Sequence, residues 1–204
     1  MKPTKIWQSR PEILLMVMAA AMPIAFWAWV VLLNNFTVEV AAFTGKEIGV
    51  LQSLREVPGF LSFLVVYLLL IIAEQRLALL SLFILGVGVA LTGYFPTVIG
   101  LYITTVISSI GFHYYEACHQ SLSLQWLDKK TAPERMGLIY SVASMAKFLV
   151  LGAIFAAYLS SLSEISWRAL ASSTGLRTGL ESYQITYLFA GLATCGLALI
   201  AYIL

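Results

Sequence analysis

Six apolar runs, each close to the length that carries a helix across a bilayer, constrain this chain more than anything else in it. They occupy 13–33, 48–72, 77–94, 97–126, 136–159 and 183–204. A helix needs about 20 predominantly apolar residues to cross the hydrocarbon core. Helices are the form such runs take, because unpaired backbone groups are too costly in lipid. A transmembrane β-barrel would show short segments of alternating polarity instead. The first run is too long and too aromatic at its far end for a cleavable signal peptide, and no small-residue cleavage site follows it. The expected fold is therefore all-α: a polytopic membrane protein of six transmembrane helices in one domain, 1–204.

Composition agrees. Apolar residues make up 60% of the chain and charged residues 11%, and mean hydropathy is +0.90. A soluble domain is about half apolar and about one quarter charged. The net charge of +2 gives no bulk field that would suit a nucleic acid. Cys118 and Cys195 sit in apolar runs, with no partner at metal-site spacing. They read as small packing residues, and no cofactor or metal is expected.

Lysine and arginine set the expected orientation. With the N-terminus inside, the cytoplasmic segments hold Lys2, Lys5, Arg10, Arg76, Lys129, Lys130 and Arg135, and the outer loops hold Lys46, Arg168 and Arg177. The positive-inside rule then places both termini in the cytoplasm, in a cytoplasmic (inner) membrane. The longest connection, Ser160 to Ser182, reads either as a flexible outer loop or as a short interfacial helix carrying Leu162, Ile165, Trp167 and Leu170.

An ionisable residue inside a span is costly, and by default it marks a functional site. Arg55 and Glu56 in the second run, Glu116 in the fourth and Lys147 in the fifth qualify, together with His113 and His119. In the fourth run Tyr102, Thr105, Ser109, His113, Glu116, Gln120 and Ser123 follow steps of three and four, which puts them on one helix face. Such a stripe faces a bundle interior or a watery path, or it supplies hydrogen bonds that only glue helices together. Gly137, Tyr140, Ser144 and Lys147 share a face of the fifth helix. Glu116 lies twelve residues before Asp128, and Lys147 twelve after Arg135. Both therefore stand about 18 Å up from the turn between the two helices, and a Glu116–Lys147 pair is expected near mid-membrane. In the second helix Gln52, Arg55, Gly59 and Ser62 share a face, and Glu56 points about 100° away from Arg55, so a simple face-to-face pair is not expected there. Pro58-Gly59 should kink the helix beside them.

No serine-protease GxSG, HExxH, P-loop or GxGxxG motif occurs. The expectation is a protein that is not an enzyme. A membrane enzyme using His113 and Glu116 as acid and base would need a nucleophile or metal that the sequence does not display.

The stretch TGKEIGVLQSLREVPGFLSFLVVYLLLIIAEQRLALLSLFILGVGVALTGYFPT resembles the second and third helices of the major facilitator superfamily. There a phrase like sxxxiGxLxS opens the second helix, and a glycine-rich third helix returns after a tight turn. DKKTAPERMGLIYSVASMAKFLVLGAIF resembles that superfamily's basic fourth-to-fifth loop and Gly/Ser-rich fifth helix. Of the superfamily's second-to-third loop phrase, only Glu74 and Arg76 stand for the acidic and basic members. The fifth helix lacks the glycine-proline signature of many drug/proton antiporters, which disfavours drug export.

The resemblance covers the N-terminal half of such a transporter, whose members usually have two six-helix halves. It implies a secondary active transporter, or its N-terminal half, that moves a small solute by alternating access, with protons one candidate coupling ion. The implied partners are the solute, the bilayer and a second six-helix half. That half would be a missing C-terminal half or a second copy, and the chain's end in an apolar run favours a split gene product or a fragment. The expected pathway residues are Arg55, Glu56, His113, Glu116, Gln120, Tyr140, Ser144 and Lys147, with His113 or Glu116 carrying the proton. The alternative is a six-helix substrate-binding membrane subunit of an ATP-driven vitamin-type uptake system. Such a subunit would dock through small residues, of which Ala21 and Ala25 are the one hint.

Overall fold

The computed structural model describes residues 11–168 and 175–203, of which 160–168 and 175–179 are described by backbone alone. All regular structure among the described residues is helical. Helices α1 (Pro11–Glu39), α2 (Gly45–Leu69), α3 (Glu74–Thr92), α4 (Val98–Trp126), α5 (Ala132–Arg168) and α6 (Gly175–Ile203) follow one another along the chain. Each contains a stretch long and apolar enough to span a membrane. The chain is an all-α, six-span membrane protein.

Local chemistry explains the boundaries. Proline opens α1, where its missing N–H is no loss. The turn into α2 passes through Ala42 at φ 53°, with the Phe43 N–H donating to the Thr37 carbonyl at 2.9 Å. Glu47 closes the start of α2, its carboxylate accepting from the Thr44 N–H and hydroxyl, each at 2.6 Å. Thr97 does the same for α4, accepting from the Gly100 N–H at 3.1 Å. Within α2 a single 3-10 turn, Leu61–Leu64, follows Pro58-Gly59. That is where a proline loosens the helical ladder.

Packing runs in the order α2, α4, α3, α6, α1, α5, with α1 also touching α3 and α4. Helix α3 is the most buried span, while α2 and α5, at the two ends of the series, are the least. Small residues bring α3 into the centre. A Cβ on Gly86 would stand 2.6 Å from Cys195 Sγ, and one on Gly88 2.8 Å from the Ser108 nitrogen. Glycine at these positions is what lets α6 and α4 approach the α3 backbone. The buried Thr194 hydroxyl donates to the Ala21 carbonyl at 3.1 Å and so ties α6 to α1.

Two expectations change here. The segment 160–168 is neither a loose loop nor a separate interfacial helix: it continues α5. No proline or glycine occurs between Ser160 and Arg168 to stop that helix. Leu170, like Lys2, Lys5 and Arg10 of the orientation argument, lies outside the described residues. Ala21 and Ala25 are fully buried inside the bundle, so they offer no docking surface.

Candidate functional site

Helices α1, α2 and α4 line a partly open cavity of about 270 Å³, to which α3 adds Leu85. From α1 come Phe26, Trp27, Trp29 and Val30, from α2 Arg55 and Glu56, and from α4 Ser108, Ser109, Phe112 and His113. Three residues singled out by charge in the sequence, Arg55, Glu56 and His113, therefore meet at one place.

Helix α2 is positioned for this by a short series of contacts with α4. The Tyr102 hydroxyl donates to the Glu47 carbonyl at 3.2 Å. The Ser109 hydroxyl donates to the Arg55 carbonyl. Next, the His113 ring lies on Gly59, where a Cβ would come within 2.7 Å of Cε1. Glycine at 59 makes the room for the imidazole. Arg55 reaches Glu56 after all: its Nε and Nη2 donate to Glu56 Oε1 at 2.9 and 2.8 Å. The angular offset between successive helical residues separates their Cβ atoms, and the length of the arginine side chain closes the gap.

The other walls are aromatic. Phe26 stacks on Phe112 with ring centroids 4.0 Å apart and planes 12° apart. His113 meets Phe112 edge-on at 5.0 Å. The Lys147 ammonium of α5 sits 3.6 Å from the centre of the Trp27 ring, a cation–π contact.

The expected Glu116–Lys147 pair does not form. Helix α1 packs against both α4 and α5, and Lys147 spends its charge on the Trp27 face of that helix. The ion pair found among the described residues is Arg55–Glu56. The polar stripe of α4 also divides. Helix α2 engages it from Tyr102 to His113, while Glu116 and Gln120 are exposed. Thr105 and Ser123 are buried, and Ser123 donates to the His119 carbonyl of its own helix at 2.8 Å. His119 takes a structural part: its Nε2–H donates to the Leu15 carbonyl of α1 at 3.1 Å. Tyr140 and Ser144 are exposed on α5. None of Glu116, Gln120, Tyr140 and Ser144 lines the cavity.

Sequence reasoning missed Phe26, Trp27, Trp29 and Val30 of α1 and Ser108 and Phe112 of α4. Trp29 and Ser108 are 1% exposed. Neither Trp29 Nε1 nor Ser108 Oγ has a hydrogen-bond partner among the described residues. Ser108 Oγ packs into the α3–α4 seam, where a Cβ on Gly88 would stand 2.5 Å from it. The run Phe26-Trp27-Ala28-Trp29 was the available signal. No group of three or more His, Cys, Asp or Glu that could hold a metal occurs among the described residues. Chemically the site offers aromatic side chains, one self-neutralised ion pair and an imidazole.

Compared with protein-family models, with curated proteins and with solved structures, the chain matches none. What the fold itself defines is a polytopic membrane protein of six helices with a cavity between its first, second and fourth spans.

Proposed function

We propose that the chain is a secondary active transporter, or the N-terminal half of one, which moves a small solute across the cytoplasmic membrane by alternating access. The observation that carries this reading is the cavity, where ionisable groups from two separate spans, Arg55 and Glu56 of α2 and His113 of α4, converge beside aromatic walls. Charged groups at membrane depth are expensive and gather where a solute or ion passes.

A second observation supports an incomplete machine. Glu56, Glu116, Gln120, Tyr140 and Ser144 are exposed on membrane-spanning helices, a surface that hydrocarbon tolerates poorly. A second six-helix body, whether a partner half or a second copy, would cover it, and Glu116 would then face the path between the two. In this reading His113 lines the solute site, Glu116 carries the coupling proton, and both termini are cytoplasmic. Glu74 helps fix the α4 end near the second-to-third turn, accepting from Gln125 Nε2 at 2.7 Å.

The test is solute flux. The purified chain, alone and co-expressed with a candidate second six-span body, is placed in proteoliposomes under an imposed proton gradient and screened with radiolabelled small solutes. The expected result is saturable, gradient-driven accumulation that Glu116→Gln abolishes. Accumulation that requires an added ATPase complex instead would overturn the reading in favour of the ATP-driven subunit.

A further inference from the structure

Packing sets α2, α4, α1 and α5 in a row. Helices α3 and α6 touch each other and the middle of that row, so they lie together on one side of it. The other side is open, and each end helix leans mainly on a single neighbour, α2 on α4 and α5 on α1.

Both end helices carry an exposed stripe at steps of three and four. On α2 it begins small, with Gly45, Gly49 and Ser53, and beyond Glu56 turns bulky, with Phe60, Phe63 and Tyr67. On α5 it begins small, with Gly137, Ser141 and Ser144. It then turns bulky with Phe148, Phe155 and Leu159, Gly152 lying between the first two. A Cβ on Gly45, Gly49, Gly137 or Gly152 would meet nothing within 4 Å. Packing inside the chain therefore gives no reason for glycine there, whereas close approach of another membrane helix does.

The two stripes match in size. Spans alternate in direction, so the end of α2 at Leu69 and the start of α5 at Ala132 lie at the same membrane face. Measured from there, Phe60 and Ser141 both stand about 14 Å in, Ser53 and Phe148 about 24 Å, and Gly45 and Phe155 about 35 Å. At each level an aromatic ring on one helix answers a small residue on the other. Within one chain the stripes cannot meet, because α4 and α1 stand between them. A two-fold axis along the membrane normal brings them together twice, antiparallel and at unchanged depth. Lipid tails are as apolar as these side chains and ask for no such match.

We infer that the open side of the row is covered by a second copy of the chain, with α2 of each copy packed against α5 of the other. The dimer names the second body of the proposed transporter and rests on that reading for its role, while the contact itself is tested without transport.

The full chain, labelled in two colours, is reconstituted in lipid vesicles and diluted with lipid while energy transfer is read. A monomer–dimer equilibrium is expected. Gly49→Leu fills the small side of the contact, where its own chain leaves open space. It should weaken the dimer by about tenfold or more, because the added side chain enters both halves of a two-fold contact. Gly196→Leu on α6, equally open within the chain, should leave the dimer unchanged. Cysteines read the geometry without a disruptive change, and the native Cys118 and Cys195 are buried. Ser53→Cys in one copy and Phe148→Cys in a differently tagged copy should join in a disulfide under mild oxidation in the membrane. Either variant alone should form no covalent dimer. Nor should Ser53→Cys with Ser141→Cys, which differ in depth by roughly 10 Å.

A chain that stays monomeric as lipid is withdrawn would overturn the inference. So would a dimer indifferent to Gly49→Leu, or covalent dimers from Ser53→Cys alone. Solute flux in proteoliposomes is read separately: a dimer of this geometry without flux leaves the inference standing and removes the transport reading, and flux from a monomer removes the inference alone.

Discussion

Lys147 shows what a residue's height in a membrane settles and what it leaves open. Rise per residue places Glu116 and Lys147 at one level, and that arithmetic uses only sequence. Which helix lies beside which is decided by side-chain packing across the bundle, and there α1 takes the place next to α5. Lys147 accordingly meets Trp27. A double-mutant cycle of Trp27→Leu with Lys147→Met, followed by denaturant unfolding in detergent, should give a coupling of about 0.5–2 kcal/mol. The same cycle with Glu116→Gln in place of the tryptophan change should give a coupling within about 0.5 kcal/mol of zero. Gly59 supplies a second residue-scale expectation. Gly59→Ala drives a methyl into the His113 ring and should cost about 1–3 kcal/mol. A His113→Ala background should remove most of that loss in the same unfolding measurement.

Among the elements, the apolar runs were legible because hydropathy reports directly on the solvent a helix must enter. The helices overrun several of those runs: α1 extends to Glu39 beyond the apolar run ending at Leu33, and α5 begins at Ala132 before Met136. A helix keeps its hydrogen bonds into the headgroup region, where polar side chains are welcome. The centrality of α3 was less legible. Its glycines were visible, but the surfaces they admit, Cys195 and Gly191 of α6 and Ser108 of α4, belong to segments far along the chain. Gly191→Ala sets a methyl against the Gly86 carbonyl and Ala90, and should destabilise the bundle by about 1–3 kcal/mol. Gly152→Ala on α5 meets nothing within 4 Å and should stabilise it by up to about 1 kcal/mol through helix propensity alone. Thermal unfolding of the two variants side by side checks the contrast.

For the whole molecule, the charged half of the candidate site was readable and the aromatic half was not. Arg55, Glu56 and His113 stand out because lipid penalises them. Phe26, Trp27, Trp29 and Phe112 look like any other apolar side chains until the bundle leaves a space between them. Membrane sidedness is likewise a property of the whole, and the proposed topology sets Arg76, Lys129, Lys130 and Arg135 with the N-terminal basic residues against Lys46, Arg168 and Arg177. Cys118 and Cys195 are buried, so an introduced thiol reports its own side. Lys46→Cys should react with an impermeant maleimide on intact cells, and Lys129→Cys only after permeabilisation. The opposite pattern would invert the proposed topology.

The attachment of α2 bears on how the protein is made. This span is among the least hydrophobic of the six, with a hydropathy of 1.2 against 2.2 for α1, and its main packing partner is α4. During synthesis α2 leaves the ribosome two spans ahead of that partner. It must wait in the insertion machinery or the bilayer with an arginine and a glutamate on board. Because Arg55 bonds its own neighbour Glu56, the waiting helix brings its counter-ion with it. The ion pair makes the nascent span tolerable to the membrane before the bundle exists to shelter it.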